Sequence, residues 1–362
     1  MNTEVEMEFL PRGMATGIGS LPHTEPRDAL KLVLEYFPEV PHWPQLPSRG
    51  SQEHFVHQFL QPLVDSGMLT FQENRWGFAT SKEDCAECMT CFYTSCLSAE
   101  DGDPEYVSAY LPSPDAAAGW HEFINAIRND ELKNAKYAKG QIVGPLTVAL
   151  QLKDQDGVSA YYKENLRDVI IRNLALNARA QAEAMASSGL TPIVFVDDPE
   201  ISAYGTRFHI ALDRQSIVED LKLIFSAIRS SRGALAGLHA CQAIDWSIAI
   251  DSNVDILSID VYRFGDSLAP YADRLRCFLE KGGVIAWGIV PTLDDPFKES
   301  TDSLWRLLHS LWDRLFDKGP DVKTVLDQSL ITPACGLGLL KIYEARRIYS
   351  LTAGISKRIR VH

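Results

Sequence analysis

The chain is short of positive charge and of long apolar runs. Lys and Arg number 35 against 48 Asp and Glu, a formal net charge of −13 over 362 residues, and the isoelectric point is near 5.2. Nucleic acid binds cationic surfaces, so this balance excludes it as a main partner. No apolar stretch approaches the ~20 residues that cross a bilayer, so no membrane partner is expected. Internal repeats and low-complexity tracts are absent. Met1 to Arg12 is acidic and lacks the basic-then-apolar form of a signal peptide, which points to a cytoplasmic location. In that reducing setting, the seven cysteines are expected to be ligands or nucleophiles rather than disulfide partners. What is present is 46% hydrophobic and 23% charged, enough to bury a large core in one barrel or two ordinary domains. A soluble enzyme or metalloprotein is the class that remains.

Strand-like runs fall at about 15–20, 41–46, 140–144, 192–197, 235–239, 255–260, 283–288 and 329–333. Helical spacing of apolar residues marks 26–37, 158–188, 216–230, 267–280, 300–317 and 338–351. Ser-Gly at 188–189 and Gly-Gly at 282–283 read as stops before the next strand. This alternation predicts a (β/α)8 TIM barrel, with 1–362 as a single catalytic domain. An open doubly wound sheet is the competing arrangement. Residues 47–139 break the pattern and read as a long insertion between strands 2 and 3. It is expected to hold a helix near 52–65, a hairpin near 68–79, a cysteine cluster and a helix at 114–130.

Three sites share one placement. His239-Ala240-Cys241, Asp260 and Cys335 each follow an apolar strand-type run. In a parallel barrel the carboxyl ends of the strands converge on the face that carries chemistry. An imidazole, two thiols and a carboxylate gathered there are a ligand set suited to zinc. Taken singly, each has a plainer reading. His239 could be a satisfied core residue, the cysteines small buried hydrophobes, and Asp260 a cap for the helix that follows.

Six blocks occur in register with a known family: Thr16-Gly17-Ile18-Gly19-Ser20, Gly144-Pro145-Leu146-Thr147, Val196-Asp197-Asp198-Pro199, His239-Ala240-Cys241, Ser258-Ile259-Asp260 and Ala334-Cys335-Gly336-Leu337. Over residues 13–50 and 140–350 the chain resembles the C-terminal catalytic barrel of cobalamin-independent methionine synthase. That barrel belongs to a wider grouping with uroporphyrinogen decarboxylase. A second, N-terminal barrel has no room here, so the chain looks like a short, core version. The resemblance implies zinc held by His239, Cys241 and Cys335, with a carboxylate as the ligand that yields to the incoming thiol of homocysteine. The family usually has Glu there; the matching residue is Asp260, one methylene shorter. Asp260 and His239 are thus the residues it assigns to catalysis. It also implies that Ile18, Gly19 and Ser20 offer backbone groups to the amino-acid carboxylate, and that Asp197 takes the ammonium. The plainer role for Asp197 or Asp198 is to cap a helix.

The departures concern the methyl donor. Where the folate-using enzymes carry a His to protonate the departing pterin, this chain has Ile289, and the family's acidic motif after the second strand is not recognisable. A leaving group that needs no proton tolerates this, which favours a methylated corrinoid, on a partner protein or free, over methyl-tetrahydrofolate. Coenzyme M or another small thiol as acceptor, or a decarboxylase resembling uroporphyrinogen decarboxylase, are the alternatives. Finally, Cys85-x2-Cys88-x2-Cys91-x4-Cys96 approaches ferredoxin spacing without matching it. A second metal, an iron–sulfur cluster and redox-active thiols are all open readings of that cluster.

Overall fold

The computed structural model describes residues 9–72, 75–79, 85–317 and 319–361. A short antiparallel hairpin, β1 (Leu69–Gln72) and β2 (Arg75–Phe78), lies where the turn signals place one. The main sheet is parallel and six-stranded: β3 (Tyr137–Val143), β4 (Thr191–Asp197), β5 (Leu235–Ala240), β6 (Ile256–Asp260), β7 (Val284–Val290) and β8 (Ser329–Pro333), neighbours in chain order. Helices follow the strands, among them Glu164–Ala186, Arg214–Arg229, Ala272–Glu280, Thr301–Leu315 and Ile342–Ile359. None of the described helices is long and apolar enough to cross a membrane.

Two extended segments join the free edges of this sheet. Thr16 N donates to Ile331 O at 3.0 Å, and Ile331 N to Met14 O at 2.8 Å, beside β8. Gln45 N donates to Gly19 O at 3.1 Å and Leu21 N to Gln45 O at 2.9 Å, and Lys139 N of β3 reaches Pro41 O at 2.9 Å. The predicted strands at 15–20 and 41–46 are therefore present only as isolated bridges. Their composition explains this. Pro41 and Pro44 lack the N–H a ladder needs, and Gly17 and Gly19 weaken extended pairing.

Period-two alternation sorts the sheet's side chains into two separate apolar clusters. The smaller contains Phe9, Met14, Val40, Ile193, Phe195, Ile256, Val284, Ala286 and Leu330, and fills the concave side. The larger lies between the sheet and its helices. The inward row that is apolar at one end turns polar at the carboxyl end, where it continues as Asp197, His239, Ser258, Asp260 and Thr332. Gly237 is part of this arrangement, because a Cβ there would lie 2.3 Å from Cδ1 of Phe195.

Between Leu46 and β3 the chain forms short turns, the hairpin and helices Cys85–Glu100 and Ala118–Arg128. Its Phe59, Leu63, Phe92, Tyr110 and Trp120 belong to the larger cluster, so they share one core with the sheet's helices. The continuous helix expected at 52–65 is instead two 3-10 turns and the short helix Gln61–Asp65. Pro62 in the first turn of that helix accounts for the break: it starts a helix well but cannot sit inside one.

Candidate metal centre

His239 is the penultimate residue of β5, Cys241 follows its end, and Cys335 stands two residues beyond β8. One ligand atom from each lies within 4.8 Å of the other two. It is the one such group of three or more found among the described residues. His239 is buried, and its Nδ1 lies 3.0 Å from Ser258 Oγ while Nε2 has no partner. Burial holds its imidazole neutral, with the pKa lowered to about 3. A neutral ring with one nitrogen anchored and the other bare is the state in which histidine ligates a metal. The two thiols share a hydrogen bond that draws Cys241 below the usual thiol range and drives Cys335 above it, so the pair favours a single thiolate.

Asp260 stands at the end of β6, beside this group but not within it. Its Oδ1 accepts from Arg263 N at 3.0 Å, capping the short helix Val261–Phe264. Burial raises its pKa to about 6. The capping reading of Asp260 is therefore realised, with its charge still sensed by Cys241.

The two aspartates after β4 divide their roles. Asp198 is fully buried and accepts from Leu146 N (3.0 Å), Thr147 N (2.9 Å) and Thr147 Oγ1 (2.6 Å), closing the first turn of the helix Pro145–Gln151. Gly144 permits this approach, since a Cβ there would fall 2.1 Å from Asp198 Cβ. Asp197 is paired in register with His239, and its Oδ1 is buried without a partner. Burial raises its pKa, opposed by the charge of Lys139.

Ile18, Gly19 and Ser20 lie at the same mouth. Leu337 N donates to Ser20 O at 2.9 Å and Gly338 N to Ser20 Oγ at 3.2 Å, which ties this turn to the loop carrying Cys335. The N–H groups of residues 18 to 20 make no backbone hydrogen bond among the described residues.

Three polar residues of this neighbourhood were not singled out from the sequence. Lys139 and Gln141 alternate in Tyr-Ala-Lys-Gly-Gln-Ile-Val and are fully buried, and Ser258 is fully buried beneath His239. The available signal was that alternation. Trp43 donates to Gln181 Oε1 at 3.0 Å and Trp287 to Ser329 Oγ at 2.8 Å, both fully buried in the outer cluster. Ile289 is likewise fully buried there.

Cys85, Cys88, Cys91 and Cys96 all lie on the helix Cys85–Glu100. At 1.5 Å rise per residue, the first and last are about 16 Å apart along its axis, too far to share one ion. The expectation of a four-cysteine metal or iron–sulfur site is corrected on this ground. Ferredoxin spacing serves a loop that folds around its cluster, whereas a straight helix spreads the thiols. Surface grooves of about 500 and 570 Å3, one lined by Arg179, Glu219 and Lys222 and the other by Cys91, Thr94 and Tyr106, touch none of the residues at the mouth.

No protein-family model and no curated protein matches the chain. Among solved structures, it is similar to a B12-independent methionine synthase from Shewanella sp. W3-18-1 in complex with selenomethionine. The identity is 14%, over 65% of this chain and 67% of that one, with a TM-score of 0.45. A vitamin-B12-independent methionine synthase structure from Listeria monocytogenes gives 18% identity, coverage of 66% and 68%, and a TM-score of 0.43. At this distance the chemistry has to be read from the chain's own residues.

Proposed function

We propose that the chain is a zinc-dependent S-methyltransferase that moves a methyl group onto the thiol of homocysteine, giving methionine. The observation that carries this reading is the convergence of a bare His239 Nε2 with Cys241 and Cys335. Nitrogen and sulfur donors of this kind fit zinc. Zinc bound there supplies a Lewis acid that keeps an incoming thiol deprotonated at neutral pH, where a free thiol of pKa about 8.5 is mostly protonated. Asp260 is the carboxylate assigned to the fourth position.

The remaining residues bind and orient. Asp197, with Oδ1 unpartnered, receives the substrate ammonium through a charge-assisted hydrogen bond. The N–H groups of Ile18, Gly19 and Ser20 take its carboxylate. The substrate sulfur then forms its bond to the methyl carbon as the donor–methyl bond breaks, and the electron pair of that bond leaves with the donor. Position 289 faces the outer cluster and not the mouth, so the preference for a methylated corrinoid, on a partner protein or free, over methyl-tetrahydrofolate rests on the departure of the sequence from the folate-using enzymes alone. In the same reading, the bridged segments near Ala15 and His42 complete a (β/α)8 barrel in one domain, 1–362, with 47–139 as an insertion.

The test is zinc analysis of the purified protein together with methyl transfer to homocysteine from methylcobalamin and from methyl-tetrahydrofolate, offered separately. About one zinc per chain and methionine from methylcobalamin are expected. Metal-free protein that still turns over, or zinc with no methionine from either donor, overturns the reading.

A further inference from the structure

Lys139 is fully buried in the inward row of β3. Its Nζ donates to Ile18 O at 2.6 Å and to Gln141 Oε1 at 3.2 Å, and lies 4.4 Å from the centroid of the Phe195 ring. Both hydrogen-bond acceptors are neutral, and the opposite charge that acts on it, Asp197, does so without a hydrogen bond, so the buried ammonium still costs stability. An apolar residue of similar length would fill the same space more cheaply. The charge is therefore kept for something other than packing.

What it grips is informative. Ile18 O belongs to the peptide that joins Ile18 to Gly19, and the other end of that peptide is the Gly19 N–H. A trans peptide is planar, with its C=O and N–H pointing in opposite directions. Drawing the carbonyl down onto Lys139 therefore turns the Gly19 N–H away from the floor, toward the mouth. Gly19 rests directly on the side chain of Gln141, where a Cβ would lie 2.8 Å from Cδ. Gln141 is itself fixed by its Nε2 bond to Trp43 O at 3.1 Å. The turn is clamped from below and its N–H is unpaired among the described residues.

We propose that Lys139 is a positioning residue for the substrate carboxylate, acting by holding the Ile18–Gly19 peptide with its N–H presented to the pocket. This rests on the amino-acid thiol reading above. It makes Lys139 a determinant of selectivity for thiols that carry a carboxylate, distinct from the ammonium recognition assigned to Asp197.

Calorimetric binding to the zinc-loaded protein separates the two. The probes are homocysteine, 4-mercaptobutyrate (carboxylate, no ammonium) and 3-mercaptopropylamine (ammonium, no carboxylate). Lys139→Met is expected to weaken homocysteine and 4-mercaptobutyrate about tenfold or more, and 3-mercaptopropylamine by several-fold less, the part due to the charge lost beside Asp197. Lys139→Gln, which keeps a shorter donor, is expected to show the same selectivity with a smaller loss, and serves if the Met variant does not fold. Equal loss for all three thiols, loss confined to 3-mercaptopropylamine, or no loss at all would each overturn the inference. If wild type binds 3-mercaptopropylamine as tightly as homocysteine, the amino-acid reading falls first and this one with it.

Discussion

The ring of His239 sets Nδ1 3.0 Å from the hydroxyl of Ser258 and leaves Nε2 bare at the mouth of the sheet. The two residues are register partners on β5 and β6, so the distance is imposed by the ladder. Ligation through Nε2 places the proton on Nδ1, with Ser258 Oγ accepting it. Ser258→Ala is expected to weaken zinc binding by ~10–100-fold, the usual cost of removing a ligand's orienting partner. Competition against a chromophoric chelator measures this, and an unchanged affinity would remove Ser258 from the site.

Asp260 has two roles to be separated. Asn caps helices about as well as Asp, so Asp260→Asn should leave the melting temperature near wild type. The same variant loses the carboxylate charge, and zinc affinity is expected to fall by roughly tenfold, the low end of the cost of a perturbed ligand shell. Full retention of zinc affinity would leave Asp260 as a cap alone.

The aspartates after β4 should respond in opposite ways. Asp198→Ala strips the acceptor from Leu146 N, Thr147 N and Thr147 Oγ1 in a fully buried place. A loss of about 3 kcal/mol is expected, from unsatisfied buried donors. Asp197→Ala removes a buried oxygen with no hydrogen-bond partner, together with the charge that favours the Lys139 ammonium, so it should cost less stability than Asp198→Ala while the KM for homocysteine increases strongly. Denaturant melts and steady-state kinetics on both variants decide this; a destabilised Asp197→Ala with unaltered KM would reverse the assignment.

His42 gives the fold a pH dependence. Its Nδ1 lies 2.9 Å from Trp43 O and its Nε2 2.8 Å from Tyr349 Oη, in full burial. Burial lowers its pKa to about 3 from 6.5. The unfolded chain therefore takes up the proton first as pH falls. Stability is fully present above pH 6.5 and is lost toward pH 3, by about 1.4 kcal/mol per pH unit within that window. His42→Asn should flatten the decline in urea midpoint between pH 7 and pH 5 relative to wild type. Parallel slopes for the two proteins would count against it.

Much of this was legible in sequence because barrel-type strands announce their ends. The runs before His239, Asp260 and Cys335 fixed where those side chains emerge, and all three do stand at strand ends. The extended segments at 15–20 and 41–46 were placed correctly but read as strands, although Pro41, Pro44, Gly17 and Gly19 limit them to single bridges. Lys139 escapes a reading of the sequence because a lysine marks a strand boundary: the apolar run begins at 140, whereas the strand begins at Tyr137. The cysteine cluster misled for a different reason, since spacing alone does not say whether four thiols lie on a loop or a helix. Nothing local in the sequence links Ser258 to His239 or Lys139 to Ile18, since each pair meets only once the sheet has formed.

The three side chains assigned to zinc stand at or just past the ends of β5 and β8, with β6 and β7 between them. An ion held by all three would tie together, at the carboxyl end of the sheet, two strands that share no ladder. Its binding free energy is then added to the closure of the fold, in proportion to the logarithm of free metal over its dissociation constant. On the zinc reading, metal supply would govern how tightly the sheet is curled as well as whether the site can act. Chelation should register first as faster amide exchange at the carboxyl ends of β5 and β8, ahead of any change in the outer helices.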